Sequence, residues 1–327
     1  MQQVSLAEIE AVTKAALEKH GALPWIADEV AKAVRKAEAV ENRICGLYYL
    51  ESYCTQLRSG RVKGNVEPVV TRPKPGVVAV DAKFGFAQSA FARALPDAIA
   101  AARECGVASL AVGHAHTCTS LGYFTEQIAR EGLIGIGMTN ASSIVAPPGG
   151  KTRVLGTNPI AFSVPDGNGG LAMQFDQSTT TVALGKITMA KAAGESIPEG
   201  WALDADGNPT TDPAAAIAGS LVSTGGYKGW GFGLMVELLA AGMTGGVVSR
   251  EVKGLKVPEG APHDLGQFYL LVDPDTSGDF FARMSQVADA IAMDEGARMP
   301  GQGKQEQDPA NLDAKVWAQV RELAGLV

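Results

Sequence analysis

His114, His116 and Cys118 alternate along one stretch of the chain. On extended backbone, alternate side chains share a face, and imidazole and thiol groups there are soft ligands suited to zinc. No fourth ligand stands nearby, so no metal site is expected, and the stretch reads as a loop that places one imidazole in a pocket. Asp176 closes an apolar run and precedes Gln-Ser-Thr-Thr-Thr. Its carboxylate belongs at a strand end, where active-site groups collect, although taken alone it reads first as a helix cap. Lys186, Lys228 and Arg298 are each flanked by glycine or other small residues, which lets a ligand approach the backbone closely. Each reads equally as a solvated charge. Pro147-Pro-Gly-Gly-Lys-Thr152 ends like a phosphate loop, but Val145 stands where the first glycine belongs and the prolines remove backbone donors. Gly229, Gly231 and Gly233 fall inside an expected helix rather than after a strand, which disfavours a Rossmann fold.

The elements that must position these groups follow from periodicity and caps. Ser5 with Glu8 is a capping box opening a helix from Leu6 to about His20. Pro24 starts a second helix, with Ile26, Val30 and Val34 as one buried stripe to about Glu41, and a third is expected from Leu47 to Arg58. A proline-rich joint, Val69 to Gly76, marks a boundary, after which β-branched runs alternate with helices. Strands are predicted at Val77–Val80, Val107–Val112, Leu133–Met138, Ile160–Val164, Leu171–Phe175 and Phe268–Val272. Helices are predicted at Ala87–Glu104, Tyr123–Glu131, Trp230–Ala241 and Phe280–Met293. Asp204 to Pro213 is turn chemistry, and a polar linker, Gln302 to Asp308, leads to a last helix started by Asp308-Pro309.

The 327 residues carry a net charge of −7 with no basic block, which gives a nucleic-acid backbone or an anionic membrane little to hold. With 46% hydrophobic and 19% charged residues the composition is that of a globular enzyme, and no apolar run is long enough to span a bilayer. The N-terminus lacks a signal-like pattern and the four cysteines form no CxxC pair, so the expected location is the cytoplasm.

Several motifs then occur in order: Leu155-Gly-Thr-Asn-Pro159, Asp176 with Ala183-Leu-Gly-Lys186, the run from Gly194 to Gly207, Pro209 to Pro213, and Gly225-Gly-Tyr-Lys-Gly229. Together they resemble the type-2 malate/L-lactate dehydrogenase family, over nearly the whole chain. Tyr53 to Val62 and Gly266 to Pro274 look most similar to members that reduce Δ1-pyrroline-2-carboxylate and Δ1-piperideine-2-carboxylate. The resemblance implies an NAD(P)H-dependent oxidoreductase acting on a small carboxylate substrate, usually a homodimer, with a non-Rossmann α+β fold. Residues 1–75 and 302–327 would form a helical domain, and residues 76–301 a cofactor-binding sheet domain. It further implies that Thr139, Asn140, Pro147, Gly149, Gly150, Thr157 and Asn158 contact nicotinamide and phosphate. Lys186, Lys228 and Arg298 would lie near charged groups of cofactor or substrate, with Asp176 at the catalytic carboxylate position.

The proton donor departs from the family pattern. Where Ser-His-Gly is usual, followed two residues later by Arg, the chain reads Ile44-Cys45-Gly46-Leu47-Tyr48-Tyr49, so Cys45 replaces the His and Tyr49 the Arg. A second family His falls on Thr117, beside His116. Three readings follow: a reductase whose proton comes from His116, Tyr48, Tyr49 or Cys45; a non-redox enzyme in which Cys45 and Cys118 face each other; or a ligand-binding member without turnover.

Overall fold

The computed structural model describes residues 1–326. From the N-terminus, β1 (Gln2–Val4) leads to α1 (Leu6–Lys19), α2 (Pro24–Ala39) and α3 (Leu50–Ser59). The Ser5 hydroxyl accepts from the Glu8 N–H at 3.2 Å, so Ser5 caps α1 as its spacing predicts. Two short 3-10 turns, Arg43–Cys45 and Leu47–Tyr49, precede α3, which therefore begins three residues later than expected. The segment read as a joint is instead β2 (Val69–Lys74), antiparallel to β3 (Val77–Asp81), with Lys74 opposite Val77. Pro73 is tolerated because β2 is an edge strand, where a missing N–H breaks no ladder.

Next come α4 (Ala87–Cys105), β4 (Val107–Ala115), α5 (Gly122–Arg130), β5 (Ile134–Thr139), β6 (Ile160–Pro165) and β7 (Leu171–Gln177). The middle of the chain adds α6 (Leu184–Ala193) and α7 (Pro213–Ala218), neither anticipated, with a small sheet of β8 (Ala202–Leu203), β9 (Pro209–Thr210) and β10 (Ser220–Leu221). Then follow α8 (Tyr227–Glu237), which runs on into a π-helical turn at Leu238–Gly242, β11 (Leu265–Val272), α9 (Phe280–Ile291), β12 (Ala310–Leu312) and α10 (Ala314–Ala324).

The main sheet has the order β2-β3-β4-β11-β5-β6-β7. Only β3 and β4 pair in parallel, joined by α4 as the crossover that parallel neighbours require; the other pairs are antiparallel. One face of the sheet, with Val78, Leu110 and Tyr269, packs on Phe91, Ala98 and Phe124 from α4 and α5. On the other face Met138 and Phe268 pack on Val236 and Ala240. A separate core joins the chain ends: Ile9, Ile26, Val30, Leu50 and Tyr53 pack with Trp317 and Val320 of α10. β1 and β12 pair antiparallel, Gln2 opposite Leu312. The last helix starts later than expected because Asp313, not Asp308, caps it, accepting from Lys315 N–H at 2.8 Å. Asp308 reaches across the chain to accept from the Leu6 N–H at 3.0 Å, at the start of α1.

Candidate active site

Asp176 lies near the end of β7, paired with Ala161 of β6. Its Oδ2 accepts from the Gly122 N–H at 2.8 Å and from the Ser120 hydroxyl at 3.4 Å. Gln174, two residues earlier on the same face, donates to the Gly122 carbonyl at 2.9 Å. The carboxylate thus caps a helix, but across the fold: it receives the first N–H of α5, where the helix dipole favours a negative charge. Glycine at 122 eases the approach, since a Cβ there would make a tight contact, 3.1 Å from the Asp176 Cβ. Asp176 is exposed to solvent and lies in the wall of the cleft. The surrounding protein raises its carboxyl above the ordinary range, opposed by the Gly122, Ser120 and Leu121 donors and by Lys304.

The cleft holds about 1000 Å³ between α2, β7 and residues 298–304, with Asp176, Asn42, Ser120, Lys36, Arg298 and Lys304 in its walls. Its cations differ in availability. Lys36 is paired with Glu126 at 2.7 Å and Glu306 at 2.9 Å. Arg298 donates only to the Gln302 carbonyl, at 3.4 Å, and neither it nor Lys304 has a carboxylate partner among the described residues.

Cys45 reaches this region on the turn Arg43–Cys45. Glu38, buried at the C-terminal end of α2, fixes the next turn, Leu47–Tyr49, by accepting the Leu47 N–H at 2.7 Å. A Cβ at Gly46 would stand 2.1 Å from Glu38 Oε1, so only glycine fits between. Burial first, and the Asp176 charge second, push the Cys45 thiol up to about 12, against a hydrogen bond with Asn42. Burial likewise moves Tyr49 up to about 12, with Cys45 and Tyr48 adding to the shift. Cys118 is buried and its thiol raised, by burial and then by Asp176 and Cys45. Asp176 thus acts on Cys45 and Cys118, and Cys45 on Cys118 and Tyr49, while Tyr48, 54% exposed, lines a separate pocket with Ile44 and Val316.

His116 is elsewhere. Its ring is 2% exposed, with Nε2 at 2.7 Å from Gln56 Oε1, stacked 4.0 Å from His263 and edged by Tyr53 and Phe86. Burial, His263 and Arg61 lower its pKa far enough to keep it neutral. The alternation expected of His114, His116 and Cys118 does not hold, because His114 takes φ 51° and turns the chain at the end of β4. His114 instead meets Asp264 at 2.7 Å.

Most residues expected at the cofactor serve the framework. Thr139 donates to the Gly266 carbonyl at 2.9 Å, and Asn140 holds Val247 O at 2.8 Å and Gly266 N–H at 3.3 Å. Asn158 donates to Gly233 O at 3.0 Å and Glu237 Oε2 at 2.8 Å. The Thr157 carbonyl accepts from Thr179 N–H at 2.9 Å, and Pro147 to Gly150 close a turn with Gly149 at φ 78°. Lys186 and Lys228 are exposed on α6 and α8; of the expected cofactor residues only Arg298 lines the cleft with Asp176. Sequence reasoning missed Ser120, Gly122 and Lys304, although Lys304 follows Gly301-Gln-Gly303, the same glycine-flanked pattern that singled out the other cations.

A mixed sheet with helices on both faces, and a cleft that sets an accessible carboxylate beside two cations without carboxylate partners among the described residues, defines an α/β protein whose cleft suits an anionic small molecule. A family model described as malate/L-lactate dehydrogenase matches residues 4–320, and the chain belongs to that family. A (2R)-3-sulfolactate dehydrogenase (NADP(+)) from Chromohalobacter salexigens is 42% identical over 92% of this chain and 90% of that protein. A Δ1-pyrroline-2-carboxylate reductase from Ancylobacter novellus is 37% identical over 92% and 89%. The crystal structure of Δ1-piperideine-2-carboxylate reductase from Pseudomonas syringae superposes with a TM-score of 0.90, at 32% identity, over 99% of this chain and 100% of that one.

Proposed function

We propose that the chain is an NAD(P)H-dependent oxidoreductase that reduces a small 2-oxo acid or cyclic 2-imino acid, with Asp176 and Cys45 at the reacting end. The observation that carries this reading is the cleft itself. Its volume lies at the upper end for small-molecule sites, large enough for a dinucleotide with a small substrate, and Arg298 and Lys304 would hold phosphate there. The reduced nicotinamide supplies the hydride. This chain's residues would bind the anion, hold a negative charge at Asp176, and keep a proton on Cys45 or Tyr49 beside the reacting atom.

A thiol shifted to about 12 is ionised in about one part in 10⁵ at pH 7, which argues against a thiolate nucleophile and for a group that holds its proton. Sealing of His116 among Gln56, His263, Tyr53 and Phe86 argues against it as the direct donor. Thr139, Asn140, Pro147, Gly149, Gly150, Thr157 and Asn158 would shape the cofactor's surroundings through backbone and framework rather than through the cleft wall, while Lys186 and Lys228 would offer exposed charges to cofactor or substrate.

The same proposal includes a non-Rossmann α+β organisation with a helical domain from both chain ends, supported by the separate core that Trp317 shares with Ile9 and Ile26. It includes a homodimer, supported by Tyr227, Phe232 and Leu238, which are 71%, 55% and 62% exposed on and just after α8. A cytoplasmic location suits four unpaired cysteines. No helix among the described residues is long and apolar enough to cross a membrane.

The test is a panel of 2-oxo acids and cyclic imines, each with NADH and NADPH, followed at 340 nm. Oxidation of one cofactor with at least one substrate is expected, with a melting temperature that rises with cofactor concentration. No turnover together with no shift at millimolar cofactor would remove the reading. Light scattering at twice the chain mass of 33.9 kDa is expected; the single-chain mass would remove the dimer.

A further inference from the structure

We infer that Lys256 is the cation that receives the substrate's carboxylate, delivered to the reacting end by a strap clamped onto α3. Residues 254–261 run across α3 and are tied to it through their backbone carbonyls. Gln56 Nε2 donates to Leu255 O at 2.6 Å, Ser52 to the same carbonyl at 3.4 Å, and Ser59 to Pro258 O at 2.7 Å. Arg61, 1% exposed, donates from Nε to Ala261 O at 3.0 Å and from Nη1 to Gly254 O at 3.1 Å and to Val257 O. A loop that merely crossed the surface would be solvated. This one draws a buried guanidinium and a buried amide onto its carbonyls, which fixes its path and hence the direction of Lys256.

The result is specific. Lys256 Nζ stands 3.4 Å from the centre of the Tyr48 ring and 5.6 Å from that of Tyr49. The Tyr48 and Tyr49 rings meet edge to face with centres 5.4 Å apart, Cys45 acts electrostatically on Tyr49, and Asp176 on Cys45. An aromatic face holds an ammonium through its quadrupole without cancelling its charge, whereas a carboxylate partner would neutralise it. Lys256 has no carboxylate partner among the described residues, whereas Arg43, on the turn that carries Cys45, is paired with Glu41 at 3.5 Å. The charge of Lys256 is therefore held in place and left available. Arg298 and Lys304 stand in the cleft wall, so the cations divide between the cleft and the Tyr48–Tyr49 pair, as a separate cofactor and substrate would need.

The inference rests on the proposed reductase reading, and its test separates the two. Lys256→Met and Lys256→Arg are compared with the wild type in two assays: reduction of the best 2-oxo acid or imine, and the melting shift produced by oxamate with saturating cofactor. Lys256→Met should raise KM about tenfold to a hundredfold, with a smaller change in kcat, and abolish the oxamate shift. Lys256→Arg should restore most of both, and the cofactor-induced shift should stay unchanged in all three proteins. If the wild type reduces nothing yet oxamate shifts it through Lys256, the reductase reading fails and the anion site stands. An unchanged KM and oxamate shift in Lys256→Met, an equal loss of cofactor binding, or no oxamate shift in the wild type would each overturn the assignment.

Discussion

Two carboxylates in this protein use the same device for different ends. Glu38 and Asp176 are both raised by burial, and each accepts a backbone N–H at the start of a turn or helix, Leu47 for one and Gly122 for the other. Each is also approached closely by a glycine, where an added Cβ would stand 2.1 Å from Glu38 Oε1 at Gly46 and 3.1 Å from the Asp176 Cβ at Gly122. They differ in access. Glu38 is 5% exposed and sealed under the turn it fixes, while Asp176 keeps an edge on the cleft. A shielded charge that a ligand can reach is a chemical group; the same charge sealed away is a fastener. The comparison teaches that burial and an upward shift alone do not mark a functional carboxylate.

The sharpest break of this comparison is at the open member. Asp176→Asn keeps an acceptor for the Gly122 N–H but loses the charge, so kcat should fall roughly a hundredfold or more while cofactor affinity holds. Loss of cofactor binding with unchanged kcat would assign Asp176 to recognition instead. At Cys45 the change should be in shape more than size. With Cys45 and Tyr49 both moved to about 12, the reductive rate of the wild type should show no limb from these groups between about pH 6 and 9. Cys45→His should keep or increase reduction and introduce a limb near neutral pH, where an imidazole titrates. An activity lost in both Cys45→His and Cys45→Ala, with folding and cofactor binding intact, would put the thiol at the centre of the mechanism.

On the sealed side, Gly46→Ala forces a methyl group toward Glu38 Oε1 and should cost about 1 to 3 kcal/mol, read as a lower melting temperature. A melting temperature equal to the wild type would show that the turn can shift and that Cys45 is held less firmly than its contacts imply. The smallest effect belongs to Glu38→Gln, which keeps an acceptor for Leu47. Because the folded carboxyl is raised above its ordinary 4.5, its contribution to stability is fully present below that value and is lost as pH rises through the folded one. The variant should thus gain stability relative to the wild type at pH 7 to 8 compared with pH 4. The opposite trend would mean that the charged form is the better fastener.

Local signals were legible because their causes are local. Ser5 and Glu8 are three residues apart, and the alternating apolar runs of β3 to β7 lie within single strands, so periodicity and caps sufficed. Asp176 was legible at a strand end, and its alternative reading as a helix cap was also true, in a form no spacing shows, since the helix it caps starts 54 residues earlier. Val69 to Gly76 was misread because prolines signal a joint unless the strand lies at an edge, and edge position is a property of the sheet.

By itself, then, the sequence determined most of the long helices and the strands β3 to β7 and β11, the motifs that carry the family, and the exchange of His and Arg for Cys45 and Tyr49. Tertiary structure alone decided which of those groups share a space. It withdrew His116 behind Gln56 and His263, brought Arg298 and Lys304 to the cleft of Asp176, and carried Lys256 to the Tyr48 ring on a strap held by Gln56, 199 residues away from Leu255. The physical reason is that a side chain's propensity acts within a few residues, whereas its dielectric surroundings, its partners and its access to a ligand are set by chain segments that only folding brings together.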